Sequence, residues 1–346
     1  MLRPAPCAWN CSSVRKFAFF ATLAGSALLA YLIVNFGESA RRVLEVIGWQ
    51  LLPILAVHLV QVGLSGAAWH AISRPSKALP LRAYIVARWI REAVSGILPL
   101  AQVGGEIAGV RLLVLKGARV ADAGAQVTVD VTIEAVTQIV FTVIGLIYLL
   151  AGGAGPELIR YTVAGLFLLV PGVAILIAIQ RRGAFSFLTR VMTWFGGRWP
   201  AGSAEVMEAL YAALQFTYCH PRALFRGCGF HLLSWFVGVF EVWLMAYYIN
   251  QSIALDKALI IEALGQAIRS AAFFVPAAIG VQESGLLLIT SQLGLVAGLG
   301  LSLSLVKRVR EISLGLPALV VFYAIERRRK SQPVSPVQVV KPFHAE

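Results

Sequence analysis

Long apolar runs recur along this sequence, and several reach the length that crosses a lipid bilayer. A helix needs about 20 mostly apolar residues to span the hydrocarbon core. Six runs meet or approach this length: 17–36, 49–72, 121–150, 158–180, 224–250 and 297–326. The chain is 58% hydrophobic and 14% charged, whereas soluble domains average about 25% charged residues. The sequence therefore predicts an all-α polytopic integral membrane protein with about six full spans.

The basic residues, which give a formal net charge of +13, are concentrated between the apolar runs. One example is "ERRRK" at 326–330, after the last run. Lysine and arginine in short loops mark the cytoplasmic side of a membrane protein. This distribution argues against nucleic acid as a partner. It predicts that both termini are cytoplasmic and that the weakly charged segments 151–157 and 250–256 face outside.

The segments around the spans have simple predicted roles. Residues 1–16 are predicted to be a cytoplasmic tail. The run 17–36 is interpreted as a retained anchor, because it is longer than the apolar part of a secretory signal. Residues 181–223 are predicted to form a cytoplasmic loop with an amphipathic, interfacial part. Residues 327–346 are predicted to be a basic, disordered tail.

Two segments, 81–116 and 256–293, combine apolar residues with helix breakers and charges, so neither fits a simple span. Each contains a proline followed seven residues later by a glutamate, in "GILPLAQVGGEIAG" and in "FFVPAAIGVQESG". Irregular backbone at membrane depth is tolerated only inside protein or beside a wet cavity. We therefore predict two re-entrant helical hairpins. Their expected breaks are Pro99, Gly104, Gly105, Pro276 and Gly280.

These features repeat when the chain is compared with itself at an offset of 177 residues. At this offset, or one residue from it, the matched positions are Pro99 and Pro276, Glu106 and Glu283, Glu134 and Glu311, Asp130 and Lys307, and Arg91 and Arg269. Coincident glutamates are informative because the chain has only 17 acidic residues. Each half contains two spans, a hairpin and a long helix. This order predicts an inverted-topology repeat of residues 17–150 and 151–326.

Charged residues inside the apolar segments are the candidate site, since a charge at the bilayer centre costs roughly 2.5–3.5 kcal/mol. The candidates for a ligand or translocation pathway are Arg91, Glu106, Arg111, Asp130, Glu134, Arg269, Glu283, Lys307, Arg310 and Glu311. Two interpretations remain open. The charges form a structural ion-pair lock, or they line a polar pathway for a headgroup or a coupled proton.

One hypothesis concerns the two long helices that carry most of these charges. Asp130 and Glu134 lie on one face of the first long helix, and the corresponding helix carries Lys307, Arg308 and Arg310. If the two helices cross at the repeat axis, the acidic and basic faces neutralise each other. This arrangement predicts ion pairs between the two helices.

A second hypothesis concerns the hairpins. Glu106 and Glu283 each follow a predicted helix break, so we expect them to line one central cavity from opposite hairpins. Arg111 and Arg269 are expected to flank them. A guanidinium offers a planar fork of donors that suits phosphate or carboxylate groups.

The remaining chemistry-bearing residues suggest no enzyme. His58 and His70, twelve residues apart in one predicted span, are interpreted as packed histidines rather than proton carriers. The four cysteines give no disulfide framework, and the dispersed histidines give no metal site. Nucleophile, metalloprotease, phosphate-loop and dinucleotide motifs are absent from the sequence. We expect no catalysis and no cofactor.

The motifs "LPLAQVGGEIAGVRLL" and "FFVPAAIGVQESG" resemble the transmembrane region of the lysylphosphatidylglycerol synthase/flippase family over about residues 15–326. The strings "RWIREAVSGILPLAQVGGE" and "VDVTIEAVTQ" are similar to its hopanoid-biosynthesis-associated membrane protein L subgroup. The resemblance implies a lipid-handling protein of a bacterial cytoplasmic (inner) membrane. The soluble aminoacyl-transferring domain of the full synthases has no counterpart here, so synthase activity is not expected.

The resemblance leaves two functions of different classes open. The first is a transporter or flippase that moves a hopanoid or related lipid between leaflets or out of the inner membrane. The second is a membrane scaffold that presents lipid to hopanoid-biosynthesis enzymes without transporting it. The expected partners are membrane lipids, either a hopanoid or an anionic phospholipid, and hopanoid-biosynthesis proteins. Polar residues at bilayer depth favour transport, since a scaffold has little need of them.

Overall fold

A computed structural model of the protein describes residues 45, 47–73, 78–97, 101–152, 156–181, 203–272, 275, 278, 280–296 and 298–330. Across these residues the regular structure is helical, without a strand. The α-helices, numbered in chain order, are α1 (Leu51–Ala71), α2 (Leu81–Ile97), α3 (Ala101–Leu115), α4 (Val120–Ala151), α5 (Pro156–Arg181), α6 (Ser203–Tyr218), α7 (Pro221–Tyr248), α8 (Leu255–Ala271), α9 (Val281–Gln292) and α10 (Leu299–Lys330). The predicted all-α class is confirmed for this part of the chain.

Among the described helices, three are long and apolar enough to cross a membrane: Gly48–Ala71, which includes α1, together with α4 and α7. The predicted spans 158–180 and 297–326 correspond to α5 and α10. However, α5 has only a shorter apolar stretch, Thr162–Ile175, and α10 carries several charges in its middle. The predicted span 17–36 lies outside the described residues. The number of six spans therefore stays a prediction.

Both interrupted segments form pairs of short helices. Hairpin 1 consists of α2 and α3, and hairpin 2 consists of α8 and α9. In each hairpin the two helices pack against each other. The predicted breaks at Pro99 and Pro276 lie outside the described residues. Gly280 has φ +80° and directly precedes α9, in a left-handed conformation that favours glycine.

The predicted break at Gly104 and Gly105 is wrong, because both glycines lie inside α3. Close packing explains Gly105 instead. A Cβ atom there would lie 2.1 Å from Ser95 Oγ and 2.5 Å from the backbone oxygen of Arg91. The missing side chain therefore allows α3 to approach α2.

Two apolar clusters occupy opposite ends of the long helices. The hairpin 1 cluster contains buried residues of α2 and α3, such as Ile90 and Leu112. The hairpin 2 cluster contains buried residues of α8 and α9, such as Ile261 and Ile289. Between membrane helices, such side chains stabilise each cluster through close van der Waals packing. The two hairpins therefore belong to different ends of the molecule.

The long helices cross between these clusters in opposite directions. Helix α4 has Ala123 in the hairpin 1 cluster and Leu149 in the hairpin 2 cluster. Helix α10 runs the other way, from Leu303 in the hairpin 2 cluster to Ala318 in the hairpin 1 cluster. Each hairpin's first helix also packs against the long helix of the other half, α2 against α10 and α8 against α4.

The described chain differs from the predicted limits of the disordered tail, and it contains a helix where the amphipathic part of the loop 181–223 was predicted. Helix α10 continues to Lys330, so residues 327–330 are helical rather than part of a disordered tail. In the predicted loop 181–223, α6 occupies Ser203–Tyr218 and packs against α4. Residues 182–202 and 331–346 lie outside the described part.

Candidate functional site

A cavity of about 360 Å³ lies in the polar layer between the two apolar clusters. Both hairpins contribute to its wall, together with α1, α4, α7 and α10. The charged and titratable residues of the wall are His58, Arg88, Arg91, Glu92, Glu106, Glu134, His231, Arg269, Arg310 and Glu311. Charges at this depth need partners or water. Most of them have an ion-pair partner and also line the cavity.

Arg91 is the centre of the charge network on the hairpin 1 side. Its Nε donates to Glu106 Oε1 at 2.8 Å, Nη1 to Asp130 Oδ2 at 2.6 Å, and Nη2 to Glu134 Oε2 at 2.8 Å. One buried guanidinium thus joins α2 to α3 and to α4. Such charge-assisted bonds are roughly twice as strong as neutral ones.

Arg88 lies almost one turn before Arg91 on the same face of α2. It donates from Nη1 and Nη2 to the two oxygens of Glu134, at 2.9 and 2.7 Å. Its Nε donates to Glu92 Oε1 at 2.9 Å. His231 Nε2 lies 3.0 Å from Asp130 Oδ1 and brings α7 into the same network.

Glu241 is the centre of the contacts between α1, α7 and α10. It is 2% exposed. Arg310 Nη1 donates to its Oε1 at 2.5 Å, and Gln61 donates to its Oε2. His58 Nδ1 lies 3.2 Å from the same Oε2 atom, while His58 Nε2 lies 3.2 Å from Glu92 Oε2. His58 therefore links the two parts of the charge network.

Hairpin 2 is fixed to α10 by three cationic side chains. Arg269 Nη1 donates to Glu311 Oε1 at 2.5 Å. Lys307 Nζ donates to Glu262 Oε2 at 2.6 Å. Arg308 joins the start of α9 to α10, because its Nε donates to a carboxylate of α9 at 2.9 Å and its Nη1 to Glu311 Oε2 at 3.0 Å.

The α9 carboxylate in that contact is Glu283, which caps the helix. The Gly280 N–H donates to Glu283 Oε2 at 2.6 Å. The Ser304 hydroxyl donates to Glu283 Oε1 at 3.2 Å. A carboxylate in the first turn also interacts favourably with the helix dipole. The cavity wall includes Glu106 but not Glu283, so the hypothesis that both glutamates line the cavity holds only for Glu106.

One ion pair occurs at corresponding positions of both halves. Arg91 bonds Glu134 at 2.8 Å, and Arg269 bonds Glu311 at 2.5 Å. These are the positions that the sequence comparison matched. In both halves the pair joins the first helix of the hairpin to the following long helix.

The predicted pairing between the two long helices is wrong. Asp130 and Glu134 bind Arg91 of α2 rather than the cations of α10. Lys307 binds Glu262 of α8 instead. In each half, the first helix of the hairpin supplies the opposite charge within hydrogen-bond distance, Arg91 for α4 and Glu262 for α10.

Arg111 also differs from its predicted role. Its side chain is 49% exposed and forms an ion pair with Glu326, at 2.7 Å between Arg111 Nε and Glu326 Oε1. It is therefore not part of the cavity wall. Arg269 does reach the cavity, as predicted for its position.

Several residues of the network are not among the site residues predicted from the sequence. They are His58, Gln61, Arg88, Glu92, His231, Glu241 and Glu262. A signal was present for two of them, because Arg88 lies three residues before Arg91 and four residues before Glu92, spacings that place side chains next to one another on a helix. The others are isolated polar residues whose partners lie far away in sequence.

Arginine side chains are partners of several carboxylates in this site. Within the described ranges, the structure contains no group of three His, Cys, Asp or Glu side chains that could hold a metal ion. The cavity carboxylates bond to guanidinium groups instead. Three buried polar atoms of cavity residues have no hydrogen-bond partner in this part of the chain: Glu106 Oε2, Gln138 Oε1 and Arg310 Nε.

The family of lysylphosphatidylglycerol synthase TM regions matches residues 19–318. The chain belongs to this family. The matched region includes both hairpins and the whole cavity wall. Searches of the curated proteins and of the solved structures gave no match. Membership identifies a membrane protein and connects it with lipids. The narrower resemblance to the hopanoid-associated subgroup stays a prediction.

Proposed function

We propose that this family member moves a lipid across the membrane, with the headgroup passing through the central cavity. The observation that carries the proposal is a charged cavity enclosed by membrane helices and contributed by both halves. Its volume of about 360 Å³ lies at the lower end of the range for ligand pockets. This size suits a headgroup whose hydrocarbon part stays in the bilayer. A hopanoid or related lipid is the proposed cargo, as the resemblance implies.

The state of the cavity wall supports headgroup binding. Glu106 Oε2 and Gln138 Oε1 are acceptors without partners, and Arg310 Nε is a donor without a partner. A buried polar atom without a hydrogen bond costs about 1–3 kcal/mol. A polar headgroup would satisfy such atoms during passage. A scaffold that only presents lipid at the membrane surface has no such requirement.

The opposite placement of the two hairpins supports an inverted repeat. The hairpins belong to opposite apolar clusters, and the long helices α4 and α10 run in opposite directions. In transporters with inverted repeats, the substrate site lies near the bilayer midplane between the repeats. We propose the same arrangement here, with both termini in the cytoplasm of a bacterial inner membrane.

The proposed topology places corresponding loops of the two repeats on opposite sides. Lys116 follows α3 and Val296 follows α9, and both are exposed. We expect Lys116→Cys to react with a membrane-impermeant maleimide only from the cytoplasmic side, and Val296→Cys only from the outside. Intact and permeabilised cells separate the two results. Labelling of both positions from the same side would contradict the inverted repeat.

The proposed activity is tested with purified protein in lipid vesicles. We expect Glu106→Gln to slow lipid movement by about tenfold, a change of roughly 1.4 kcal/mol in the barrier. The amide keeps the shape of the side chain but removes the charge beside the cavity. Glu326→Gln is the matched control, because Glu326 pairs with Arg111 away from the cavity. Movement of a fluorescent phosphatidylglycerol analogue and of a hopanoid is measured, together with protein abundance.

The outcomes separate the two functions left open by the sequence. Slower movement in Glu106→Gln but not in Glu326→Gln supports transport through the cavity. Equal rates in both variants would assign Glu106 a structural role. Absence of lipid movement in the unmodified protein would favour the scaffold that presents lipid to biosynthetic enzymes.

A further inference from the structure

His58 occupies an unusual position, because each of its ring nitrogens faces a carboxylate. Nδ1 lies 3.2 Å from Glu241 Oε2 on α7, and Nε2 lies 3.2 Å from Glu92 Oε2 on α2. The ring lines the cavity, and its side chain is 14% exposed. The contact with Glu241 reaches α7, in the second half of the chain. The contact with Glu92 reaches hairpin 1.

The neutral and the protonated form of the His58 ring differ in how many of these two contacts can be hydrogen bonds. A neutral imidazole has one N–H donor and one bare acceptor nitrogen, whereas an imidazolium has two donors. An ionised carboxylate only accepts. Arg88 donates to Glu92 and Arg310 donates to Glu241, so both carboxylates are held by cations as acceptors. Only the protonated ring satisfies both contacts.

We propose that His58 is the proton-binding residue of the cavity and that its protonation ties hairpin 1 to α7. This inference rests on the proposed transport function and adds the coupled ion. When the proton leaves, the Nε2–H bond breaks and cavity water takes the proton. Nε2 and the Glu92 carboxylate are then both hydrogen-bond acceptors. They cannot bond to each other, so the contact between them opens. Nδ1–H remains bonded to Glu241, which Gln61 and Arg310 also hold.

The helices packed against α1 carry the charges of the network to which His58 belongs. These charges are Arg88, Arg91 and Glu92 on α2, Asp130 and Glu134 on α4, His231 and Glu241 on α7, and Arg310 and Glu311 on α10. The positive charge of Arg310 opposes a charged ring, whereas Glu92 and Glu241 favour it. His231 differs from His58 because it contacts one carboxylate, Asp130, which a neutral ring satisfies with a single N–H.

The opening of hairpin 1 is measured with a cysteine at Gly96, near the end of α2. Gly96 lines the cavity, and a Cβ atom there meets no atom within 4 Å. Gly96→Cys is made in a protein whose four native cysteines are replaced by serine. Its reaction with a small maleimide is followed from about pH 5 to about pH 10, a range that brackets imidazole titration. Each rate is divided by the rate of the same variant unfolded in denaturant at the same pH, because the thiolate is the reacting form and its fraction rises with pH. Lipid movement in vesicles is measured in parallel.

We expect this normalised rate to rise several-fold as the pH rises, because loss of the proton opens the contact between His58 and Glu92 of hairpin 1. His58→Gln should remove this pH dependence. His70→Gln is the matched control and should keep it, because His70 lies on the same helix and packs edge-on against Tyr84. A pH profile that is unchanged in His58→Gln, or flat in the unmodified protein, would overturn the proposal.

Glu92→Gln provides a second test that does not remove the histidine. The introduced amide can donate to a bare Nε2, so a neutral ring satisfies both contacts. The labelling transition should therefore move to lower pH by about one unit or more, which corresponds to about 1.36 kcal/mol. A transition that stays in place would contradict the role of Glu92.

The two measurements separate this proposal from the proposed function. Labelling that depends on His58, without lipid movement at any pH, keeps the proton site and rejects transport. Lipid movement with the same pH profile in the unmodified protein and in His58→Gln keeps transport and rejects the proton site.

Discussion

Arg91→Leu is expected to leave little folded protein. The substitution removes one cation that bonds Glu106, Asp130 and Glu134 at once. Removing one member of a buried ion pair costs about 3–5 kcal/mol, because the remaining charge is left uncompensated. Total stabilities of about 5–15 kcal/mol leave little margin for such a loss. The measurements are the amount of monodisperse protein after detergent extraction and its thermal midpoint.

Two further variants make this result interpretable. Arg111→Leu is the control, since its ion pair with Glu326 is exposed and should contribute only about 0–1 kcal/mol. Arg91→Lys should give an intermediate result, because lysine keeps the charge but lacks the planar fork. Equal thermal midpoints for Arg91→Leu and Arg111→Leu would show that the network does not stabilise the fold.

Gly105→Ala is expected to destabilise hairpin 1 by about 1–3 kcal/mol, the usual cost of overpacking. The new methyl group would lie 2.5 Å from the Arg91 backbone oxygen, which moves only with α2 itself. A shift of α2 would also move the Arg91 guanidinium away from its carboxylates. We therefore expect a lower thermal midpoint together with slower lipid movement in vesicles.

Gly96→Ala is the control for this substitution and should raise the stability of the protein instead of lowering it. Gly96 lies in the same hairpin, and a Cβ atom there meets no atom within 4 Å. Alanine is better than glycine in a helix by about 0.8–1.0 kcal/mol. Equal or higher stability of Gly105→Ala relative to Gly96→Ala would contradict close packing between α2 and α3.

The helices were largely predictable from the sequence, because they depend on local patterns. The segment 81–116 was predicted as a broken hairpin and forms α2 and α3, and 256–293 forms α8 and α9. The long helix predicted at 121–150 is α4, Val120–Ala151. Apolar length, prolines and charges report directly on these elements. The pair Gly104–Gly105 predicts a chain break, but both residues lie inside α3, and Gly105 allows close packing between α3 and α2.

The composition of the site was partly predictable, because charged residues in apolar segments must face partners or water. Six residues were identified in this way and lie on the cavity wall: Arg91, Glu106, Glu134, Arg269, Arg310 and Glu311. The cost of burying a charge predicts that each of these residues faces a partner or water. It makes this prediction without specifying which partner each residue has.

Only the tertiary structure decided which charges pair. Asp130 and Glu134 bind Arg91 rather than the cations of α10, and His58 joins two carboxylates that are 149 residues apart in the sequence, Glu92 and Glu241. Ion pairing depends on distances of a few ångströms between side chains of different helices. These distances are set by helix packing and by close contacts such as the one at Gly105. The sequence determined that charges must be buried together, whereas the packing of the helices determined their partners.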